Sequence, residues 1–128
     1  MGTAVLDASA LLAFLNKEKG SEQVAHSIMS GAIMSTVNVS EVIAKLSEAN
    51  MPEDAIRETL DLLGIETVPF DMTYAYQAGL LRPMTKVLGL SFGDRTCLAL
   101  AQHLRLPAVT ADRAWQKLTL GITIRIIR

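Results

Sequence analysis

The sequence predicts a three-layer α/β/α fold: helices cover both faces of a mainly parallel sheet of roughly five strands, in one domain spanning residues 1–128. Three observations carry this. Short apolar runs alternate with longer segments of helical period, the rhythm of strand–crossover–strand units. The short runs are apolar on both sides, as strands covered on both faces must be. A chain of 128 residues can bury one good core but not two.

Thr3–Leu6 is the first strand and Ala8–Asn16 the first helix, with Asp7 between them. Ser21–Ser30 continues as a helix that Gly31 stops, and "AIMS" at Ala32–Ser35 is the second strand. Val37–Ala49 follows as a helix. Pro52, after Asn50, opens the helix Pro52–Leu63, since a first turn does not need the missing N–H. Gly64 ends it ahead of the strand Glu66–Val68. Thr73–Leu88 is expected as one long helix that Gly89 stops, and Ser91 caps Phe92–Leu104. Pro107 opens the strand Ala108–Thr110, where a lost donor is tolerated. A helical stretch Arg113–Leu118 then leads to Ile122–Ile126, whose alternation marks an edge strand.

Composition narrows the function classes. Half the residues are hydrophobic and a fifth charged, which is globular composition. No apolar run reaches the length of a membrane span, and no basic stretch precedes the N-terminal apolar run, so a soluble cytoplasmic protein is expected. The lone Cys97, in "CLALA", excludes an internal disulfide and reads as a buried thiol. Neither a Rossmann glycine pattern nor a P-loop is present. Charge is uneven: residues 1–64 carry −5 and residues 65–128 carry +4, so the basic half could face a phosphate backbone. Ala10–Leu15 and Ile56–Leu63 are rich enough in apolar side chains to leave interface surface exposed.

Four acids stand at strand-to-helix junctions: Asp7 after the first strand, Glu41 early in the helix after "AIMS", Asp94 in the first turn after Ser91, and Asp112 after "AVT". In a parallel sheet all such junctions gather on one rim, where open α/β sheets place their ligands. Each acid has a local explanation as well. Asp7 and Asp112 can cap helices, Asp94 suits a helix N-terminus, and Glu41 has Lys45 four residues on for a surface pair. Capping does not explain why all four share one rim. Like charges about 4 Å apart repel by roughly 4 kcal/mol at an effective dielectric near 20. Such a cluster must therefore protonate, spread or hold a cation. All-carboxylate ligation suits a hard cation, Mg²⁺ first and Mn²⁺ as its alternative. Zinc does not fit, because His26, His103 and Cys97 lack ligand spacing.

"VLDASALLAFL", "STVNVSEV", "LSFGDRTCLALA" and "TADRAW", in this order over nearly the whole chain, together resemble a PIN domain, particularly the short VapC-type toxins of toxin–antitoxin pairs. The resemblance implies a PIN-like sheet, metal-binding acids at Asp7, Glu41, Asp94 and Asp112, and hydroxyls near the metal at Ser9 and Thr110. It further implies a Mg²⁺-dependent endoribonuclease, an RNA substrate, a cognate antitoxin of a type II system and a homodimer. The chemistry of the residues agrees, since a bound ion reverses the local field for an anionic phosphodiester. Asp7 and Asp94 are the expected direct ligands. Glu41 and Asp112 are left with three roles: binding a second ion, orienting water, or acting as base. Asn38 is a polar neighbour, and Arg95 and Arg113, each following an acid, are candidates for phosphate contact. Competing readings are a catalytically silent interaction domain, a phosphotransfer receiver, which wants an acid pair at strand one, and a dehalogenase-type phosphatase, which wants Asp-x-Asp where this chain has Asp7-Ala8-Ser9.

Overall fold

The computed structural model describes residues 2–128. Five strands, β1 (Ala4–Leu6), β2 (Ala32–Ser35), β3 (Glu66–Val68), β4 (Ala108–Thr110) and β5 (Ile124–Ile126), form one sheet in the order β3-β2-β1-β4-β5. Every pairing is parallel, with Ala4 opposite Ala32, Leu6 opposite Val109, Ser35 opposite Val68, and Thr110 opposite Ile126. The helices are α1 (Ala8–Leu15), α2 (Ser21–Gly31), α3 (Thr36–Glu48), α4 (Glu53–Leu63), α5 (Met72–Leu80), α6 (Arg82–Thr85) and α7 (Phe92–Leu104).

The connections dictate the layers. From β1 the chain steps outward to β2 and β3, then returns across the sheet to β4 on the far side of β1. Right-handed crossovers in opposite directions put their helices on opposite faces. Accordingly Ala4, Leu6 and Met34 pack against α1–α4 in one core, while Val5 and Ile33 pack against α5 and α7 in the other. The reversal places the topological switch point between β1 and β4, and so between Asp7 and Asp112.

Several boundaries differ from expectation. Thr73–Leu88 is not one helix: α5 ends at Leu80, α6 occupies Arg82–Thr85, and a 3-10 turn spans Lys86–Leu88. Pro83 has no N–H to return to the preceding turn, and its ring crowds that turn's carbonyl. Arg113–Lys117 is likewise a 3-10 turn. Strand β3 is not apolar on both sides, since Glu66 and Thr67 are exposed; it is the other edge of the sheet. Pro52 precedes α4 as its N-cap residue rather than opening it. Gly64 and Gly89 end their helices at φ 62° and 68°, left-handed conformations that glycine adopts without strain. Among the described residues, no helix is long and apolar enough to cross a membrane.

The expected apolar surface is present in part: Leu62, in the stretch Ile56–Leu63, is 80% exposed. Ala10, Leu11, Ala13 and Ile56 are buried in the core. Further exposed apolar side chains run along α5 and beyond it: Met72, Tyr76 and Leu80, one turn apart, followed by Met84 and Val87, the last 92% exposed.

Candidate metal centre

Each acid is delivered by the end of a strand or the start of a helix. Asp7 follows β1 and caps α1, its Oδ1 accepting the Ala10 amide at 2.8 Å. Capping does not exhaust it. Thr110 at the end of β4 donates to Asp7 Oδ2 at 2.6 Å, and Ser9 Oγ lies 2.8 and 2.9 Å from its two oxygens. These hydroxyls are themselves fixed, Ser9 Oγ by the Ala111 amide and Thr110 Oγ1 by the Asp112 amide, both at 3.0 Å. Asp7 is 4% exposed. Burial raises its pKa to about 6, outweighing the hydrogen bonds from Thr110, Ala10 and Ser9 that lower it, with the charge of Asp94 adding a smaller upward push.

Asp94 forms a capping box with Ser91: its Oδ2 accepts the Ser91 amide at 2.8 Å, and its own amide donates to Ser91 Oγ at 3.2 Å. Partial burial, followed by repulsion from Asp112, raises the pKa of Asp94 against the lowering effect of the Ser91 bonds. Asp112 caps the 3-10 turn through the Ala114 amide at 2.9 Å. Glu41, in the second turn of α3, accepts a hydrogen bond from Asn38 Nδ2 at 2.8 Å. Asn38 is wholly buried, and the same Nδ2 donates to the Gly93 carbonyl at 3.0 Å, tying α3 to α7.

All four acids line one cleft of about 260 Å³, together with Ala8, Ser9, Leu12 and Lys45. Local capping and the shared rim therefore hold together for three of the acids: Asp7, Asp94 and Asp112 take part in caps and line the same cleft as Glu41. In these rotamers no three carboxylates among the described residues close on a single point, because Asn38, Ser91 and the Ala114 amide each hold one acid toward its own wall. One oxygen stays unbonded, among the described residues, on each of three acids: Glu41 Oε2, Asp94 Oδ1 and Asp112 Oδ2. Hard oxygen donors around a buried carboxylate fit Mg²⁺ or Mn²⁺. His26 and His103 are exposed and Cys97 is buried in α7, outside the cleft lining.

The two arginines are placed differently from expectation. Arg95 lies about 100° round α7 from Asp94, and its Nη1 donates to the Ala78 carbonyl of α5 at 3.0 Å. Arg113 Nε donates to the Arg128 carbonyl at 2.9 Å. Neither lines the cleft. Two further residues bear on the cleft that the sequence does not single out as site residues, Lys45 in its lining and Gly93 against Glu41. Lys45 was foreseen only as a surface partner of Glu41; it instead stands 4.0 Å from exposed Glu48 and reaches the cleft wall. Its spacing of four from Glu41 puts both on one helix face, a signal available in the sequence. Gly93 offers no such signal, since its importance lies in a contact with α3.

Compared with known families, residues 4–119 match the PIN domain. No curated protein matches the chain. Among solved structures it is similar to a DNA-bound VapBC from Salmonella typhimurium, at 20% identity and a TM-score of 0.77 over 100% of both chains. It is also similar to a toxin–antitoxin complex from Klebsiella pneumoniae, at 18% identity and a TM-score of 0.73, covering 94% of this chain and 95% of that one. A VapBC-5 structure from Mycobacterium tuberculosis aligns at 22% identity with a TM-score of 0.59 over 98% of each chain. These likenesses are of fold. The family match encloses β1 through β4 and all four acids, and the chain belongs to the PIN domain family.

Proposed function

We propose that this protein is a metal-dependent endoribonuclease and the toxin of a toxin–antitoxin pair. The observation that carries the reading is the cleft at the switch point, where Asp7, Glu41, Asp94 and Asp112 face one another around a carboxylate with a raised pKa. Phosphate-directed chemistry cannot run on bare carboxylates, which repel the substrate. Asp7 and the free Oδ1 of Asp94 would hold Mg²⁺, which supplies charge reversal and polarisation of the phosphoryl oxygen. Ser9 and Thr110 orient the Asp7 carboxylate by hydrogen bonds. Glu41 and Asp112 line the same cleft, where they would orient the attacking water.

Lys45 is the one cation lining the cleft among the described residues, and in this reading it draws in the RNA backbone. Lys45→Ala should raise the KM for RNA about tenfold with kcat little changed, and lower the slope of log affinity against log salt by about one. An unchanged salt slope would remove Lys45 from the substrate path.

The fold neighbours solved as toxin–antitoxin complexes support an antitoxin partner. A groove between α3 and α4, where Ile43, Met51, Ile56 and Leu60 alternate with Ser47, Glu53, Arg57 and Asp61, is the surface we assign to it. A second copy of the chain is assigned to the exposed stripe Met72, Tyr76 and Leu80, a face of α5 that can pack antiparallel on itself about a two-fold axis. Tyr76→Glu should halve the mass measured by light scattering after size exclusion; an unchanged dimer would place the interface elsewhere.

The catalytically silent interaction domain remains as a second reading, favoured by the lack of three carboxylates closing on one point. Incubating the protein with total RNA and Mg²⁺, with and without chelator, and mapping the new ends separates the two. Discrete ends that vanish with chelator support the nuclease. Intact RNA in both arms overturns it.

A further inference from the structure

Gly93 is the second residue of α7, where its backbone conformation would accept any side chain. Alanine is a better helix former than glycine at such a site. What stands in the way is a single group. A Cβ built on Gly93 would lie 2.5 Å from Glu41 Oε1 and 2.6 Å from Glu41 Cδ. The Glu41 carboxylate thus rests on the bare Cα of α7. Asn38 holds it there: its Nδ2 spans Glu41 Oε1 and the Gly93 carbonyl, 2.8 and 3.0 Å away. This orientation leaves the buried Asn38 Oδ1 with no partner among the described residues. Turning the amide over would set that oxygen against two acceptors, so the orphaned atom marks a side chain committed to its two donors.

We propose that Gly93 and Asn38 form a clamp that sets the position of the Glu41 carboxylate in the cleft, with the bare Gly93 as its floor and Asn38 as its strap. The proposal rests on the metal-dependent reading above for its functional consequence. Both are positioning residues. Because the group a Cβ would meet is the free end of a flexible side chain, Gly93→Ala does not force α3 and α7 apart. It expels Glu41 instead.

The test uses Gly93→Ala, Glu41→Asp and the double variant in the full chain. Gly93→Ala should unfold at or above the wild-type temperature, while its Mn²⁺ affinity and RNA cleavage fall about 10- to 100-fold. In Glu41→Asp, whose carboxylate is one methylene shorter, adding Gly93→Ala should cost nothing further. Equal losses in both backgrounds, or full Mn²⁺ affinity in Gly93→Ala, would overturn the clamp. A second readout needs no metal. In the ¹⁵N spectrum of metal-free protein the Asn38 side-chain amide should be protected from exchange, and it should shift in Gly93→Ala and Glu41→Gln. An Asn38 signal unmoved by Gly93→Ala would refute the clamp by itself. A shifted signal in a protein that binds no Mn²⁺ would keep the clamp and reject the metal-dependent reading.

Discussion

Asp94→Asn should leave a folded protein in which the proposed Mg²⁺-dependent RNA cleavage falls by about 10³-fold or more, about 4 kcal/mol of barrier. Folding survives because the asparagine carbonyl can still accept the Ser91 amide, and the backbone amide at this position still reaches Ser91 Oγ. The loss of a charge at the N-terminus of α7 costs only about 0.3–1 kcal/mol. What disappears is the unbonded Oδ1, replaced by an amide that cannot hold a divalent ion. Circular dichroism and single-turnover cleavage measured on the same preparation check both halves. Cleavage within tenfold of wild type would show that Asp94 is only a helix cap.

Asp7→Asn gives an opposite pair of effects: cleavage is abolished, and the metal-free protein becomes more stable at neutral pH. The carboxyl titrates at 3.8 in an ordinary setting and at about 6 in the folded chain. The folded state therefore binds this proton more tightly than the unfolded state. Its stabilising contribution is complete below pH 4 and is lost as pH rises through 6, a fall of about 3 kcal/mol for the balance of burial against the hydrogen bonds. Asparagine never ionises, so the variant lacks this fall. It should gain roughly 1–3 kcal/mol over wild type at pH 8 in chelator, with little difference at pH 4. The introduced carboxamide can keep the Ala10 amide as donor and give its own NH₂ to Thr110 Oγ1, whose proton turns toward Ser9. Urea unfolding from pH 4 to 8 provides the measurement. Parallel stability curves for the two proteins would mean that Asp7 is ionised in the fold at little cost.

What the sequence disclosed follows from the range of the forces that wrote it. Strands such as Ala4–Leu6, and caps such as Ser91, are set by neighbours a few residues away, and both stand where local chemistry predicts. The break at Pro83 was also locally encoded, and the continuous periodicity around it hid the break. Strand order lies beyond local patterns: only the sheet shows that β4 sits beside β1, so that Thr110 can reach across 103 residues to Asp7. Arg95 shows the same limit from the other side. Adjacent to an acid in sequence, it turns away on the helix and bonds to α5. Gly93 was opaque for the plainest reason, since a missing Cβ has meaning only once Glu41 is seen resting where it would be.

Titration of metal-free protein with Mn²⁺, followed calorimetrically or by loss of the free-ion paramagnetic signal, examines the cleft without any substrate. The four facing carboxylates require a saturating isotherm in the wild type that is absent in the Asp7→Asn, Asp94→Asn double variant. A wild type that stays unsaturated at millimolar Mn²⁺, or a double variant that binds as the wild type does, would contradict the assignment of a cation to this rim.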